Sequence, residues 1–329
     1  MEEIIKIENL CKEYKTYKRG TGILENFKSF FHRQTVIVSA VNSINLRVRK
    51  GSITGILGPN GAGKSTLIKM MTGVLFPTTG KIDVMGYEPS KDRKKYVQHI
   101  GAVFGQKSQL IWDIPPADSF MMNAAIYDIA KKDYERRLKM MLELFELGDI
   151  IYKPTRVLSL GERMKCEFIM AMLHEPQVVF LDEPTIGLDV IAKQKIRQFI
   201  AEMNRKGTTF ILTTHDLEDV EQLAQEVIII NHGTKVFDGN LHSLKNVLGE
   251  KKIIRITLEN SAQVEDAVSK IKGLRFLSKI SELEYSLEAD LTETKTPVLL
   301  NEISRVLPLK DISVSELPME EVITKIYNT

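Results

Sequence analysis

The segment GPNGAGKST, which begins at Gly58, constrains this chain more than any other, because it matches the spacing G-x-x-x-x-G-K-[ST]. Its glycines, 58, 61 and 63, are expected to turn the backbone through positive φ, so that successive N–H groups converge on one anion. In loops of this kind the lysine contacts the β and γ phosphates of a nucleotide, and the serine hydroxyl ligates Mg²⁺. The sequence therefore predicts a nucleotide-phosphate site with Lys64 and Ser65 as its main side chains.

The flanks of this loop have the patterns that such a site requires. Residues 52–57 form a short apolar run typical of a buried strand, and residues 67–73 read as a helix closed by glycine. The helix is expected to begin near Lys64, so that its positive dipole end faces the anion.

A second apolar run, Val178–Leu181, is followed directly by Asp182 and Glu183. Such a run predicts a buried parallel strand, and ligands of open α/β sheets bind at the carboxyl ends of their strands. Two adjacent acids repel each other unless a cation lies nearby. We therefore expect Asp182 to reach Mg²⁺ and Glu183 to lie near the γ phosphate.

The composition is that of an ordinary globular protein, with 43% hydrophobic and 27% charged residues among 329. A formal net charge of +2 does not favour a nucleic-acid partner. The sequence contains neither a long apolar membrane span nor the layout of a signal peptide. We therefore expect a cytoplasmic protein whose two distant cysteines, Cys11 and Cys166, are reduced and have no catalytic role.

Three further segments occur in the order typical of one family: SLGER from Ser159, IGLD from Ile186 and TTHD from Thr213. With the phosphate loop and the acid pair, they make about the first 240 residues resemble the ATP-binding subunits of ABC transporters. The resemblance implies an α/β P-loop NTPase cassette over residues 1–240, with a RecA-like core, an antiparallel β subdomain and a helical subdomain. It also implies a homodimer or a pair with a related ATPase.

By this resemblance the chain binds ATP and Mg²⁺ and hydrolyses ATP. Glu183 would polarise the attacking water, and His215 would contact the γ phosphate and position that water. Asp182, Ser65 and Gln106 would organise Mg²⁺, and Gln106 would also contact the water.

The resemblance further implies that each nucleotide is shared between two cassettes. Ser159 and Gly161 would face the γ phosphate held by the opposite copy, and Asp189 would couple the two sites. The residues expected to contact nucleotide are Tyr14, Gly58, Pro59, Asn60, Gly61, Ala62, Gly63, Lys64, Ser65, Thr66, Ser159, Gly161 and Asp189.

The sequence departs from the family pattern at two motifs. The usual signature LSGGQ has leucine at its third position here, Leu160, and glutamate at its fifth, Glu162. We expect the side chain of Leu160 to point away from the phosphates. The glutamine that usually follows an apolar-aromatic pair is preceded here by Gly105, so Gln106 is interpreted as the metal contact, with Gln109 as the alternative.

Adenine is normally stacked by an aromatic residue just after the first strand, and Tyr14 occupies that position, with Tyr17 or a merely exposed Tyr14 as the alternatives. An insertion follows at about 18–38. Within it, residues 23–33 carry an apolar stripe at helical spacing. This stripe either packs on the cassette or binds a membrane surface or a partner helix.

Residues 111–157 match the helical subdomain of the family, with helices predicted at Phe120–Ala130 and Tyr134–Phe145. This part is expected to meet an integral-membrane permease, which would hold the chain at the cytoplasmic face of the membrane. Trp112 is either a contact there or a half-buried core residue. The methionine pairs at 121–122 and 140–141 are expected to fill the core.

Residues 241–329 alternate strand-like and helical runs and predict a small α+β domain of β-α-β-β-α-β type. The sequence thus favours an ATP-hydrolysing subunit of an ABC transporter that energises a separate permease, with export suggested by the resemblance alone. The alternatives are an ABC-type ATPase that acts on nucleic acid or in translation, and a non-hydrolysing ATP-sensing regulator.

Overall fold

The structure is a computed structural model that describes residues 2–17, 35–105, 107–246, 251–317 and 319–327. Its internal contacts divide the chain into two units, Met1–Gly239 and Asn240–Thr329. The amphipathic stripe predicted at 23–33 and the predicted metal contact Gln106 both lie outside the described residues.

The first unit combines strands and helices along the chain. Its strands are β1 (Glu3–Tyr17), β2 (Thr35–Arg49), β3 (Ile53–Leu57), β4 (Thr79–Val84), β5 (Ile100–Phe104), β6 (Val178–Asp182), β7 (Thr209–Thr214), β8 (Glu226–Asn231) and β9 (Thr234–Asn240). Its helices are α1 (Lys64–Met71), α2 (Arg93–Tyr96), α3 (Pro116–Ile126), α4 (Lys131–Phe145), α5 (Leu160–Met172), α6 (Val190–Arg205) and α7 (Leu217–Leu223).

The larger sheet of this unit has the strand order β5-β6-β7-β3-β8-β9, and β5, β6, β7, β3 and β8 run parallel. Strands β3 and β7 are buried along their whole length, as expected for parallel strands that are covered on both faces. Because parallel strands end at the same edge, the loops after β3, β6 and β7 meet there. This edge collects the phosphate loop, the acid pair and His215.

Two hydrophobic cores lie on opposite faces of this sheet. Val178 and Phe180 of β6 belong to the core shared with the antiparallel sheet and α1, whereas Val179 and Leu181 belong to the core shared with α3 to α6. This alternation follows from the two-residue period of a strand. The free thiol of Cys166 lies within the second core, where burial raises its pKa to about 12, consistent with an inert role.

The smaller sheet is antiparallel, in the order β2-β1-β4. Strand β1 continues to Tyr17, so Tyr14 lies within the strand and not just after it, as the sequence had suggested. Strand β2 begins at Thr35, so residues 35–38 belong to the sheet and not to the predicted insertion. A long β-ladder from Glu3↔Arg49 to Tyr17↔Thr35 extends both strands beyond their predicted ends.

The predicted helical region contains α3 and α4, which pack with α5 and α6. Helix α4 ends at Phe145 as predicted but begins at Lys131, three residues before the predicted start. Helix α3 begins at Pro116 and ends at Ile126, four residues before the predicted bounds. Proline is favoured at the first helical position, and Asp128, with a φ of 52°, stops the helix. The prediction of core methionines is wrong for Met121 and Met122, which are exposed.

The second unit is an α+β domain. Its elements are α8 (Leu241–Asn246), β10 (Lys251–Leu258), α9 (Val264–Val268), β11 (Leu274–Lys279), β12 (Glu284–Asp290), α10 (Thr296–Val306), β13 (Leu309–Glu316) and α11 (Met319–Tyr327). The antiparallel sheet has the order β11-β12-β10-β13. The order from β10 to β13 is the predicted β-α-β-β-α-β, and α8 and α11 are additions that the sequence did not reveal.

Within the described part of the chain, none of the helices combines the length and the apolar character that crossing a bilayer requires.

Candidate functional site

The phosphate loop joins β3 to α1, and its glycines serve two different purposes. Gly61 and Gly63 have φ values of 81° and 105°, as predicted for a loop that turns its N–H groups inward. Gly58 does not have positive φ, so the prediction is wrong there. A Cβ at Gly58 would lie 2.4 Å from the carbonyl oxygen of Ile230. Glycine is therefore required at position 58 because the loop passes close to the backbone of β8.

Lys64 is the first residue of α1, and its side chain folds back over the loop. Its Nζ donates to the carbonyl oxygens of Gly58 at 2.7 Å and Pro59 at 3.2 Å, and the residue is only 5% exposed. Burial lowers the pKa of Lys64, and the nearby carboxylates of Glu183 and Asp182 oppose that shift. The ammonium is thus held at the N-terminus of a helix, where an anion is favoured.

Asp182 ends β6 and accepts two hydrogen bonds at one carboxylate oxygen. Ser65 Oγ donates to its Oδ1 at 2.9 Å, and Thr213 Oγ1 donates to the same oxygen at 2.6 Å. The parallel register pairs Asp182 with Thr213 on β7. Thr213 was not among the predicted site residues, because its hydroxyl becomes relevant only when the two strands are placed side by side.

Glu183 and His215 lie next to each other at the same edge. Glu183 has a φ of 53°, a left-handed conformation that is uncommon for a residue with a side chain. Its backbone N–H donates to Thr213, at 3.0 Å to the carbonyl oxygen and 3.2 Å to Oγ1. His215 Nδ1 lies 3.6 Å from Glu183 Oε1, and the imidazole is 55% exposed. The two groups are therefore close enough to act on one water molecule.

Glycine is required at position 105 because the backbone there passes close to the acid pair. Its N–H donates to the carbonyl oxygen of Asp182 at 2.9 Å, and a Cβ there would lie 2.6 Å from the carbonyl oxygen of Glu183. The alternative metal contact Gln109 is engaged elsewhere, because its Nε2 donates to the carbonyl oxygen of Ala102 at 2.5 Å. Gln106 remains a prediction.

A cleft of about 420 Å³ opens at this edge of the sheet. It contains the predicted site residues Asn60, Ser65, Asp182, Glu183 and His215. Its other lining residues are Lys69, Phe104, Gly105, Lys107 and Ile186. Tyr14, Ser159, Gly161 and Asp189 lie on other elements and are not among the residues that line the cleft. The remaining predicted contacts belong to the loop and helix that carry Asn60 and Ser65; they are Gly58, Pro59, Gly61, Ala62, Gly63, Lys64 and Thr66.

Ser159 caps the N-terminus of α5. Its Oγ accepts a hydrogen bond from the N–H of Glu162 at 3.2 Å, and Glu162 Oε2 accepts one from the N–H of Ser159 at 2.8 Å. The unusual glutamate of the SLGER segment is therefore one half of a capping box, which was not predicted although the spacing S-x-x-E indicates it. The side chain of Leu160 lies close to Gly187, and the residue is 39% exposed.

Asp189 caps α6 by accepting a hydrogen bond from the N–H of Ala192 at 2.8 Å. Behind it, a buried ion pair joins α6 to α7: Arg197 Nε lies 2.6 Å from Asp219 Oδ1, and Asp219 is 1% exposed. Thr185, two residues after Glu183, donates to the other oxygen of Asp219. This network fixes the helix after His215 against the segment after Glu183.

Tyr14 lies on β1 and is 41% exposed, with Lys12 Nζ 5.4 Å from the centroid of its ring. The exposed ring face is compatible with stacking on a base.

Comparison with known proteins gives the family. A family model described as ABC transporter matches residues 41–186. The chain is 31% identical over 214 residues to the ABC transporter ATP-binding protein NatA of Bacillus subtilis (strain 168), covering 65% of this chain and 87% of NatA. It is 28% identical over 303 residues to the Linearmycin resistance ATP-binding protein LnrL of the same organism, covering 91% of this chain and 95% of LnrL.

A solved structure agrees with this assignment at the level of the fold. The ATP-binding cassette MJ0796, described as a dimeric post-hydrolysis state bound to ADP and Pi, superposes with a TM-score of 0.59 at 23% identity. The match covers 72% of this chain and 98% of that one. The chain therefore belongs to the ABC transporter family, as one of its ATP-binding and ATP-hydrolysing subunits.

Proposed function

We propose that ATP lies with its phosphates in the cleft at the ends of β3, β6 and β7. The observation that supports this most is the convergence of the Lys64 ammonium, Ser65, Asp182, Glu183 and His215 at one edge of the sheet. On binding, the phosphates replace the loop carbonyls as partners of Lys64, since a charge-assisted bond to phosphate is stronger than one to a neutral carbonyl.

The residues in the cleft suit Mg²⁺. The hydroxyl of Ser65 and the carboxylate of Asp182 are hard oxygen donors, already 2.9 Å apart, and Mg²⁺ is commonly held by one or two carboxylates together with substrate phosphates. We infer that Ser65, Asp182 and Gln106 organise the ion. When bound, Mg²⁺ neutralises charge on the β and γ phosphate oxygens.

Glu183 is the proposed general base. Its carboxylate accepts a proton from the attacking water, while His215 donates to the γ phosphate and orients that water. The bonds from the backbone N–H of Glu183 to Thr213 hold the backbone of Glu183 at the end of β7 before the nucleotide arrives. Pre-organisation of this kind lowers the cost of reaching the transition state.

We propose that a second cassette completes the site. Ser159 and Gly161 do not line the cleft of their own chain, yet they lie at the start of α5, where backbone N–H groups and the helix dipole favour an anion. In a dimer they contact the γ phosphate of the opposite copy, with Asp189 between the two sites. Tyr14 stacks on adenine in this proposal.

We further propose two domains, the cassette at 1–240 and an accessory domain at 241–329 without chemistry of its own. ABC cassettes work with membrane permeases, and we place this contact on the helical region 111–157, where Trp112, Met121 and Ile126 are exposed. The chain then sits at the cytoplasmic face of the membrane. Export is proposed because a relative that covers nearly the whole chain is named for resistance to linearmycin.

The phosphate site is tested by measuring ATP affinity of the Lys64→Ala variant. We expect a loss on the order of 100-fold, since two charge-assisted bonds of roughly 1.5–3 kcal/mol each are removed and partly replaced by water. Lys69→Ala is the matched control, because Lys69 carries the same charge on the same helix and also lines the cleft. Equal affinity of Lys64→Ala and wild type would place the phosphates elsewhere.

Export is tested in inverted vesicles, whose cytoplasmic face is outward, from cells that make this chain with its permease. ATP added outside is expected to drive a lipophilic dye into the lumen, and Glu183→Gln is expected to abolish the uptake. ATP-driven loss of a preloaded solute would indicate import instead.

A further inference from the structure

A buried carboxylate on α5 has no part in the site as described so far. Glu167 lies on the third turn of α5 and is 4% exposed. Its Oε1 and Oε2 accept hydrogen bonds from the N–H of Gln109 at 3.1 and 3.0 Å, and the hydroxyl of Ser108 donates to Oε1. The N–H of Leu110 lies 3.5 Å from the same oxygen. All of these donors belong to one segment, 108–110.

Within this segment Glu167 is the acceptor for the Gln109 N–H and the Ser108 hydroxyl, whereas the N–H of Leu110 also donates to Ser108 Oγ at 3.2 Å. Residues 108–115 contain no helix or strand, so their N–H groups have no ladder in which to be satisfied. Burial raises the pKa of Glu167, and the hydrogen bonds from Ser108, Gln109 and Leu110 oppose the shift. Burying a carboxyl group in a core costs desolvation free energy. One use of such buried polar groups is to fix a single register between two elements.

Glu167 joins the segment 108–110, which follows the wall of the cleft, to α5, which begins at the signature. Lys107, next to the bound segment, lines the nucleotide cleft together with Phe104 and Gly105. Glu167 is eight residues from Ser159 at the start of α5, which corresponds to about 12 Å along a helix. The carboxylate thus connects the wall of the cleft of its own chain to the helix whose N-terminus carries the signature.

We propose that Glu167 is a positioning residue that clamps the segment 108–110 to α5, so that nucleotide in the cleft and the signature helix move as one body. This rests on the proposed position of ATP in the cleft. The residue touches no reacting atom. It acts by keeping the loop beside the phosphates and the signature in a fixed relation, so that one cannot respond to ATP without the other.

The chain carries its own reporter of this clamp. Trp112 is its only tryptophan, it follows Leu110 by two residues, and it is 51% exposed. The guanidinium of Arg163, on α5, lies 5.6 Å from the centroid of its ring. Because the ring is half exposed and belongs to the unit that Glu167 ties together, acrylamide quenching of its fluorescence reports a movement of the clamped segment and α5 together against the rest of the full-length protein.

The test compares Glu167→Met, which keeps the side-chain length but accepts no hydrogen bond from the segment, with wild type and Glu167→Gln. In wild type, saturating ATP with Mg²⁺ changes the quenching of Trp112. In Glu167→Met this change is lost and kcat falls about tenfold or more, while KM for ATP changes less than about threefold. Glu167→Gln, which retains one acceptor oxygen, gives an intermediate response.

Met172→Ala is the matched stability control, since Met172 is a buried residue on the same helix that contributes to the same core and is not bonded to the segment. It lowers the melting temperature but retains the ATP response of Trp112. A response in Glu167→Met equal to wild type overturns the proposal, as does loss of the response in Met172→Ala. If Glu167→Met does not fold, Ser108→Ala replaces it and must weaken the response.

A wild-type protein that binds ATP with the Lys64 dependence described above but shows no change at Trp112 also overturns the clamp, while it leaves the proposed function intact. If Lys64→Ala retained full ATP affinity, the proposed position of ATP in the cleft would itself be wrong. The two failures are therefore distinguishable.

Discussion

Replacement of Thr213 by valine isolates one hydrogen bond of the acid pair. The hydroxyl of Thr213 is fully buried and donates to Asp182 Oδ1 at 2.6 Å, beside the bond from Ser65 at 2.9 Å. Valine has nearly the same shape and fills the same space. The backbone bond from the N–H of Glu183 to the carbonyl oxygen of Thr213 stays, so the strand pairing is kept.

The size of the effect follows from the charge on the acceptor. A hydrogen bond to an ionised group contributes about 1.5–3 kcal/mol, and each 1.4 kcal/mol corresponds to about tenfold in affinity. In the proposed Mg²⁺-bound state Ser65 would turn from Asp182 to the metal, and the Thr213 hydroxyl would be the donor that still orients the carboxylate. We therefore expect Thr213→Val to weaken ATP binding in the presence of Mg²⁺ by about 10- to 100-fold.

The assay measures ATP affinity with Mg²⁺ and again with a chelator in place of Mg²⁺. The loss should be confined to the first condition, because without the metal the phosphates are held by Lys64 and the loop amides. Thr213→Ser is the control, since it keeps the hydroxyl and should bind nearly as wild type. An equal loss in both conditions, or no loss with Mg²⁺, would refute the assignment of Asp182 to the metal.

Two further predictions concern stability. Asp219→Ala should lower the free energy of unfolding by about 3 kcal/mol in urea denaturation, because it leaves the buried Arg197 guanidinium without its closest partner; an effect under about 1 kcal/mol would contradict this. Burial lowers the pKa of His174 to about 4, so the unfolded chain binds a proton at this residue more tightly than the folded chain. The free energy of unfolding should therefore fall by up to about 3 kcal/mol as pH drops from about 6.5 to about 4. His174→Gln should flatten that pH dependence, and an unchanged slope would argue against it.

Much of the edge that carries the site follows from local sequence. The run Val178–Leu181 before Asp182 predicts a buried strand with acids at its carboxyl end, and the glycines of the phosphate loop predict the turn into α1. The capping box of Ser159 and Glu162 was also readable, since its spacing is a helix-start signal. Each of these features depends only on residues that are close together in the sequence.

What the sequence did not reveal depends on pairing between distant segments. Gly58 is required by the backbone of β8, Thr213 acts through the register of β6 and β7, and Glu167 binds residues nearly 60 positions earlier. None of these has a periodicity or a spacing of its own. Tyr14 was placed after its strand for a similar reason, since the length of β1 is set by its pairing with β2.

The central claim is that a second copy of the chain completes the ATP site in this cleft and that Glu183 is the base for hydrolysis. The Glu183→Gln variant tests it most directly. The mass of this variant is measured by light scattering with and without ATP, alongside its turnover. We expect turnover to fall by about 10²- to 10⁴-fold, and ATP to convert the protein to a species of twice the 37.4 kDa chain mass. ATP-bound protein that stays at the monomer mass, or turnover equal to wild type, would contradict it.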